Sequence, residues 1–164
     1  MISNSVNEKM ISFKELEKKI FKYVCELGCE ITRSILEAYD DAVAVKRDKQ
    51  KYRNKGKRAT CIKTVYGSVK YQRRIYGTIT ENGEKAYVYL LDAEMRMDKI
   101  GMISSNLAEK IAMTVTESPY RVTAETISST SGQSISASGV WNVMQRLGEK
   151  ISEEAVSYTH LRAH

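Results

Sequence analysis

The sequence is poor in the residues from which disulfides, zinc sites and histidine-based active sites are built. Its 164 residues include only three cysteines and two histidines. Cys25, Cys29 and Cys61 are odd in number and none lies in a Cys-x-x-Cys pair, so they predict buried or half-buried thiols rather than disulfides or zinc ligands. No apolar run approaches the length of a membrane span, and no signal peptide opens the chain. We therefore expect a cytoplasmic protein with no membrane partner.

Positive charge, in contrast, is present in excess. The formal net charge is +6, while 42% of the residues are hydrophobic and 28% are charged. These two fractions are ordinary for a globular protein, and the length suffices for one domain or two small ones. The excess of positive charge favours a polyanionic partner, although basic proteins with other roles have similar compositions.

An amphipathic helix is predicted in the N-terminal segment, residues 1–45. Ser12 and Glu15 form an S-x-x-E capping box, which marks its start. Apolar residues then recur at spacings of three or four, which indicates one buried face: Phe13, Leu16, Ile20, Val24, Leu27, Ile31, Ile35 and Tyr39. A helix of this length either packs against a second copy, giving a homodimer, or lies along its own domain. The sequence favours neither arrangement over the other.

A strongly basic segment follows at residues 46–58, "KRDKQKYRNKGKR". Eight of its thirteen residues are Lys or Arg, and only Asp48 opposes them. The segment has no apolar period and is predicted to be a mobile linker. Its charge density and the interleaved Tyr52 favour contact with phosphate groups, and the alternative is a solvated linker.

Residues 60–77, "TCIKTVYGSVKYQRRIYG", have the pattern of a β-hairpin. We expect Gly67-Ser68 to form a two-residue turn, which pairs Thr64 with Tyr71. One face of the hairpin is then largely apolar, and the other is basic. The basic face carries Cys61, Lys63, Lys70, Gln72 and Arg74.

A second turn is predicted at Asn82-Gly83, the strongest short hairpin signal. It returns the chain through residues 85–91, so that residues 59–98 form a three-stranded antiparallel meander. The connection after it holds Asp92, Glu94 and Asp98, but no histidine or distant carboxylate motif supports a metal site there.

Three helices are predicted in residues 99–154, at about 105–116, 118–130 and 137–152, and Ser136 is predicted to cap the third. Their inward residues are predicted to be Leu107, Ile111, Val115, Tyr120, Ala124, Ile127, Val140, Met144, Leu147 and Ile151. The last two helices, joined by a short turn, have the shape of a helix-turn-helix, whose second helix would enter the major groove. Asparagine, glutamine and arginine can pair with the edges of adenine or guanine. The outward residues near the start of the last helix are Ser138, Gly139, Asn142, Gln145 and Arg146. Helical hairpins of this kind also occur in proteins that never bind DNA.

The last residues of the chain, 155–164, are predicted to be a non-native tail. Residues 156–164, "VSYTHLRAH", have no hydrophobic period and resemble the in-frame translation of a sequencing-library adapter. Both histidines, His160 and His164, would then be foreign to the natural protein. The alternative interpretation is a natural disordered tail.

The order of these segments resembles the N-terminal half of bacterial insertion-sequence transposases of the ISLre type. In that family the hairpin reads roughly T-x-F/Y-G-x-V-x-x-x-R-R-x-Y. The matching residues here are Thr64, Tyr66, Gly67, Val69, Arg73, Arg74 and Tyr76. The strand "YVYLLD" also matches, and the helical segment matches through Tyr120, Ala124, Glu125, Ser136, Val140 and Trp141.

The resemblance implies a DDE-type transposase, whose ribonuclease-H-like catalytic domain follows the helix-turn-helix. Such domains hold two divalent metal ions, here expected to be Mg²⁺, and attack phosphodiesters in line. We expect this chain to stop before that domain. It would then carry no catalytic residue, no metal site and no cofactor, and it would be inactive alone.

These observations together predict an α+β fold: a long amphipathic helix, a three-stranded antiparallel meander and a helix-turn-helix-like bundle. The predicted function is recognition of double-stranded DNA at the terminal repeats of an insertion sequence, in the cytoplasm and on the nucleoid. The alternatives are a stand-alone helix-turn-helix regulator and a coiled-coil interaction module. The predicted DNA contacts are Lys51, Arg53, Lys55, Lys57, Arg58, Lys63, Lys70, Arg73, Arg74, Ser138, Asn142, Gln145 and Arg146.

Overall fold

The computed structural model of the chain describes residues 11–97 and 99–162. The elements in chain order are α1 (Phe13–Lys46), β1 (Arg53–Thr64), β2 (Gly67–Ile79), β3 (Lys85–Val88), α2 (Leu90–Glu94), β4 (Lys99–Ile100), β5 (Ile103–Ser104), α3 (Ser105–Val115), α4 (Tyr120–Thr130) and α5 (Ala137–Arg162). The fold class is α+β, as the sequence predicts.

The strands form one mixed sheet in the order β3-β2-β1-β5-β4. β1, β2 and β3 pair antiparallel in chain order, whereas β5 pairs parallel to β1 and β4 pairs antiparallel to β5. The expected three-stranded antiparallel meander is therefore corrected to part of a five-stranded sheet. The sequence pattern missed α2, β4 and β5, because each has five residues or fewer and no measurable period.

Helix α1 begins where the sequence predicts. The Ser12 backbone N–H donates to Glu15 Oε2 at 3.1 Å, and the Glu15 N–H donates to Ser12 Oγ at 3.3 Å, which completes the capping box. Its apolar stripe, however, is not buried against the rest of the described chain, so the alternative in which it lies along its own domain is wrong. All eight stripe residues are at least 40% exposed, and α1 packs on the sheet through a different face that carries Cys25, Leu36 and Asp40.

Carboxylates of α1 cover one edge of β2. The N–H of Gln72 donates to Glu37 Oε1 and the N–H of Arg74 donates to Asp40 Oδ1, both at 3.0 Å. Beyond this point β3 takes over the edge, pairing with β2 from Tyr76 to Ile79. A strand edge needs such partners because open N–H groups invite pairing with other chains.

The first hairpin turn lies two residues earlier than predicted. The turn residues are Val65 and Tyr66, and Thr64 pairs with Gly67 rather than with Tyr71. The Thr64 hydroxyl donates to the Gly67 carbonyl at 3.0 Å and accepts from the Tyr66 N–H at 3.2 Å, so a side chain stabilises the turn. A shift of two residues leaves every side chain on its predicted face.

The second predicted turn is present. Gly83 has φ +81°, and the Thr80 N–H donates to the Glu84 carbonyl at 2.9 Å, closing a short loop that contains Asn82. A glycine in this conformation is what a three-residue hairpin loop requires. The returning strand ends at Val88, and the chain enters α2 where the sequence predicts continued strand.

The basic segment is more ordered than predicted. α1 extends to Lys46 and β1 begins at Arg53, so only residues 47–52 connect them. Within this connection Asp48 Oδ1 accepts from the N–H groups of Gln50 and Lys51 at 2.8 and 3.2 Å. The expected mobile linker is corrected to a short turn followed by a strand, because pairing with β2 orders residues that have no hydrophobic period.

Helices α3, α4 and α5 share one hydrophobic core. As predicted, its members include Leu107, Ile111, Ala124, Ile127 and Val140. The residues predicted to be inward at the ends, Tyr120 and Ile151, are exposed instead, and Val143 is a core residue that the pattern missed. α5 continues to Arg162 rather than ending near residue 152, so its backbone runs through most of the predicted tail.

The sheet and the helical bundle meet at a close backbone contact. The N–H of Gly132 donates to the Val65 carbonyl at 2.9 Å. A Cβ atom on Gly132 would overlap the carbonyl oxygen of Tyr66, so no other residue fits without movement. Ser68 Oγ also donates to Gln133 Oε1 at 2.9 Å. The tip of the first hairpin is therefore fixed to the α4–α5 connection.

Replacing Asp40 with Ala should lower the free energy of unfolding by about 3 kcal/mol. The change leaves the half-buried Arg74 without its buried partner and uncovers an edge N–H. Asp41→Ala is the matched control, because Asp41 contacts the same guanidinium from an exposed position. Urea unfolding monitored by circular dichroism should show a large loss for Asp40→Ala and almost none for Asp41→Ala. Equal losses would contradict the role assigned to the covered edge.

Replacing Gly132 with Ala should lower the free energy of unfolding by about 3 kcal/mol, because the new methyl group collides with backbone. Gly148, inside α5, has no atom within 4 Å of its ideal Cβ position. Gly148→Ala should therefore raise the free energy of unfolding by about 1 kcal/mol through helix propensity. Thermal and urea unfolding measure the stability of both variants. We expect the two changes in the free energy of unfolding to have opposite signs.

Candidate nucleic-acid interface

A basic cleft lies where the start of β1, the end of β2 and β3 run side by side. The pairing aligns Arg53 with Gly77, and Gly77 with Tyr87, across the three strands. Lys55 crosses over Gly77, with its Cε 3.0 Å from the position of a Cβ atom there. A side chain at residue 77 would therefore require Lys55 to shift by a few tenths of an ångström.

The cleft has a volume of about 340 Å³, and four of the ten residues around it are cationic. None of the ten lining residues carries a carboxylate. The lining residues are Gln50, Lys51, Arg53, Lys55, Gly77, Thr78, Ile79, Lys85, Ala86 and Tyr87. Cations that converge on one concave surface concentrate positive potential and attract anions. The ring of Tyr87, 67% exposed, lies at the same surface.

Nine of the predicted DNA contacts belong to the basic segment and the hairpin, and the structure divides them. Lys51, Arg53 and Lys55 line the cleft. Lys57 forms an ion pair with Asp41 at 3.5 Å. The other predicted cations, Arg58, Lys63 and Lys70, are exposed along the hairpin but do not line the cleft.

Arg73 and Arg74 require a correction, since both are engaged inside the fold. Arg73 is buried, forms an ion pair with Asp92, and has its guanidinium carbon 3.7 Å from the centre of the Tyr89 ring. Arg74 Nη1 contacts Asp40 Oδ2 and Asp41 Oδ1, each at 2.6 Å. The hairpin register explains the burial of Arg73, because it puts this residue on the face that α2 covers. Arg74 is held instead by the two aspartates of α1.

The charges around Arg74 shift two pKa values. The hydrogen bond from Arg74 and the nearby charge of Lys57 lower the pKa of the exposed Asp41 carboxyl. Burial opposes the charged form of Arg74, but the hydrogen bonds to Asp41 and Asp40 outweigh it and raise the pKa of Arg74. Both groups therefore stay charged at neutral pH, which fits a structural ion-pair cluster.

The predicted contacts on α5 lie at the other end of the hairpin. Ser138, Asn142, Gln145 and Arg146 are all exposed. The guanidinium of Arg146 lies against Gly101, at the turn between β4 and β5. The hairpin tip contacts the α4–α5 connection, and β1 from Arg53 to Thr64 spans roughly 36 Å. The structure therefore does not bring the α5 residues together with the cleft.

The connection between α4 and α5 consists of residues 131–136. Its six residues exceed the three or four typical of a helix-turn-helix. Ser136 caps α5 as predicted, with its Oγ accepting from the Gly139 N–H at 3.1 Å. The two helices pack through a shared core.

No group of three or more metal-ligating side chains occurs in the described residues, 11–97 and 99–162. Of the three clustered carboxylates, Asp98 lies outside the described part of the chain. The three cysteines are free thiols. Burial, together with the neighbouring Cys25 and Cys61, raises the pKa of Cys29, which makes its thiol a weak nucleophile at neutral pH.

Comparison with known proteins gives one match. Residues 6–160 match an uncharacterised protein family, UPF0236. The chain belongs to the UPF0236 family. No curated protein and no solved structure has significant similarity to it. The matched range includes residues 156–160 of the predicted non-native tail, and the adapter origin of that tail stays a prediction.

In the described part of this UPF0236 protein, no helix has both the length and the apolar character needed to cross a membrane. Sequence reasoning missed two residues of the cleft, Lys85 and Tyr87. Both lie on the third strand, and the alternation in "KAYV" could have found them, because it places these two side chains on one face. Gly77 could not have been found, since its role depends on where Lys55 passes.

Replacing Arg73 with Ala should lower the free energy of unfolding by about 2–3 kcal/mol, because the change removes a buried guanidinium that pairs with Asp92 and stacks on Tyr89. Lys70→Ala is the control, since Lys70 lies on the same strand and is exposed. Its effect should be within about 0.5 kcal/mol. Chemical unfolding of both variants tests this. A harmless Arg73 variant would return Arg73 to the set of free cations.

Proposed function

We propose that this UPF0236 protein is the DNA-binding N-terminal part of an insertion-sequence transposase of the ISLre type, which recognises the terminal repeats of its element. The observation that carries the proposal is the basic cleft. Four cations line this cleft, and none of its lining residues carries a carboxylate that could neutralise them. A duplex presents closely spaced phosphates, and neutralising them releases counterions, which is the main source of affinity.

The cleft also has the chemistry to hold a sugar-phosphate chain in place. Arg53 offers a planar guanidinium that can bind two phosphate oxygens at once, whereas Lys51, Lys55 and Lys85 act as point charges. Tyr87 adds an aromatic ring beside them, a surface on which a sugar or an unstacked base can pack. Strand pairing holds Arg53 and Tyr87 on either side of Gly77, so these groups need little reorganisation on binding.

Base reading is assigned in this proposal to α5. Asn142 and Gln145 are exposed, and they point away from the core face that carries Val140 and Val143. Their amides can pair bidentately with adenine in the major groove. The cleft, at the other end of the first hairpin, would bind phosphates of the same duplex.

Two other functions compete with this proposal. A stand-alone helix-turn-helix regulator would use the same α5 surface, and binding to terminal repeats rather than to a promoter distinguishes the transposase. An interaction module would use α1, whose apolar stripe is exposed. That observation favours a protein partner in addition to DNA.

Replacing Arg53, Lys55 and Lys85 together with Gln should weaken binding to all DNA sequences alike. Each phosphate contact contributes about 0.9 to the slope of log affinity against log salt concentration, so the slope should flatten by roughly 2–3. Fluorescence anisotropy with a terminal-repeat duplex and a random duplex, measured across a salt series, gives both quantities.

The control removes the same charge elsewhere on the surface. Lys14, Lys110 and Arg121 are exposed and lie outside the cleft. Their triple Gln variant should keep the wild-type slope to within about one unit. If both triple variants lose affinity equally, binding follows net charge alone and the cleft is not a site. If neither loses affinity, the protein does not use these cations for DNA.

The same assay tests α5. Asn142→Ala with Gln145→Ala should cost roughly 1–3 kcal/mol on the terminal repeat and little on random DNA. The salt slope should not change, because the amides contact bases rather than phosphates. Equal losses on both duplexes would remove α5 from base recognition while leaving the cleft untouched.

A further inference from the structure

The outward face of α1 is apolar and largely exposed in the described chain. We define the outward stripe as Phe13, Leu16, Ile20, Val24, Leu27, Ile31, Ile35 and Ala38. Ala38 replaces Tyr39 of the predicted stripe, because it follows Leu27 by eleven residues and therefore lies on the same side of the helix. Its seven large members are between 40% and 74% exposed. The sheet-facing residues Cys25, Leu36 and Asp40 lie on a different side of the same helix. Monomeric proteins seldom expose so continuous an apolar surface without using it.

The first third of α1 has little support from the rest of the fold, although Phe21 and Lys22 line a pocket together with Tyr66 and Gly132. Every residue from 11 to 24 is exposed, and the first buried residue is Cys25. Residues 13–24 therefore extend about 18 Å along the helix axis as an arm. A helix of twelve residues without tertiary contacts is marginal in water. The arm therefore needs a surface to cover its apolar side chains.

The spacing of the outward stripe permits antiparallel pairing with the same stripe of a second copy. Successive members are separated by 3, 4, 4, 3, 4, 4 and 3 residues. A pattern that repeats every eleven residues stays on one side of a nearly straight helix. The stripe therefore lies on one side of α1 from Phe13 to Ala38. The series also reads the same in both directions. Two copies of the stripe can therefore match position for position when they run antiparallel.

The charges on α1 favour the same orientation. Residues 13–24 contain four lysines and two glutamates. In residues 25–46, Asp40 and Asp41 are paired with Arg74 and Lys57 of the sheet, which leaves three glutamates against two cations. Antiparallel pairing sets the positive half of each helix beside the negative half of the other. Parallel pairing would set like charges side by side, which is unfavourable.

We propose that α1 pairs antiparallel with α1 of a second copy of this chain, about a centre between Cys25 and Glu26. Leu16 then packs against the partner's Ile35, and Ile20 packs against the partner's Ile31. The exposed arm of each copy lies on the sheet-supported half of the other helix. This inference goes beyond DNA binding and does not depend on it.

The size of the surface agrees with a stable interface. A large side chain has an accessible area of roughly 150–200 Å². Seven such side chains, about half exposed, leave on the order of 500–700 Å² of apolar area on each copy. The flanking polar atoms add to this, and a standard interface buries about 800 Å² per partner.

Sedimentation equilibrium of the full chain tests the proposal. The wild-type protein should be dimeric at about 10 µM. Leu27→Asp with Ile31→Asp should give a monomer, because four carboxylates would enter the centre of the pair. Met113→Asp with Val122→Asp is the matched control, since both residues are exposed apolar positions on other helices. This control should stay dimeric. A monomeric wild type, or a dimer that survives the Leu27 and Ile31 changes, would overturn the proposal.

Charge exchange tests the orientation. Lys19 and Glu30 are exposed beside the stripe, and the antiparallel register brings Lys19 near the partner's Glu30. Lys19→Glu or Glu30→Lys alone should raise the dimer dissociation constant roughly threefold to tenfold. The double variant should restore it. Failure of the double variant to recover would contradict the antiparallel register. Far-UV circular dichroism distinguishes dissociation from unfolding, since α2 to α5 and the sheet keep their signal in a folded monomer.

Discussion

The hydrogen bonds from the β2 edge to the carboxylates of α1 determine how the rest of the molecule is arranged. Glu37 and Asp40, three residues apart on the helix, accept from Gln72 and Arg74, two residues apart on the strand. Asp40 is buried and also binds the Arg74 side chain. A buried carboxylate with these partners fixes the rotation of α1 about its own axis. That rotation, more than hydrophobicity, leaves the outward stripe exposed.

A second constraint separates the two ends of the first hairpin. At its tip, the contact between Val65 and Gly132 fixes the sheet to the helical bundle. At its other end, the bare backbone of Gly77 leaves room for Lys55 beside Arg53 and Tyr87. The strands between these ends act as a rigid spacer. Any ligand that uses both the cleft and α5 must therefore be long, which suits a duplex better than a small molecule.

Local sequence signals predicted where elements begin and turn better than they predicted strand register and which helix face is buried. The capping box gave the start of α1, Gly83 gave the second turn, and Ser136 gave the start of α5, since each acts through atoms a few residues away. The register of the first hairpin was missed because the Thr64 hydroxyl, rather than a glycine-led turn, closes it. Periodicity found the stripe of α1 but not which face the sheet would cover, because Asp40 decides that through a partner 34 residues away.

The candidate site could be predicted only in part for the same reason. Counting charge along the chain selected Arg53 and Lys55 correctly as surface cations, but it could not separate them from Arg73, whose partners Tyr89 and Asp92 are brought in by α2. A sequence gives the number of positive charges. Only the fold shows which of them an internal carboxylate already neutralises.

One side of β1 has a consequence for solubility. In the described chain β5 pairs with β1 only at Lys63, so the backbone groups of β1 from Arg53 to Cys61 have no strand beside them on that side. Lysine and arginine side chains there, with the irregularity at Gly56, discourage a foreign strand from adding on. The same cations therefore act as gatekeepers against aggregation. Replacing these cations with β-branched residues would create a strand edge that favours pairing with other chains. Any change at these positions must therefore keep a polar side chain.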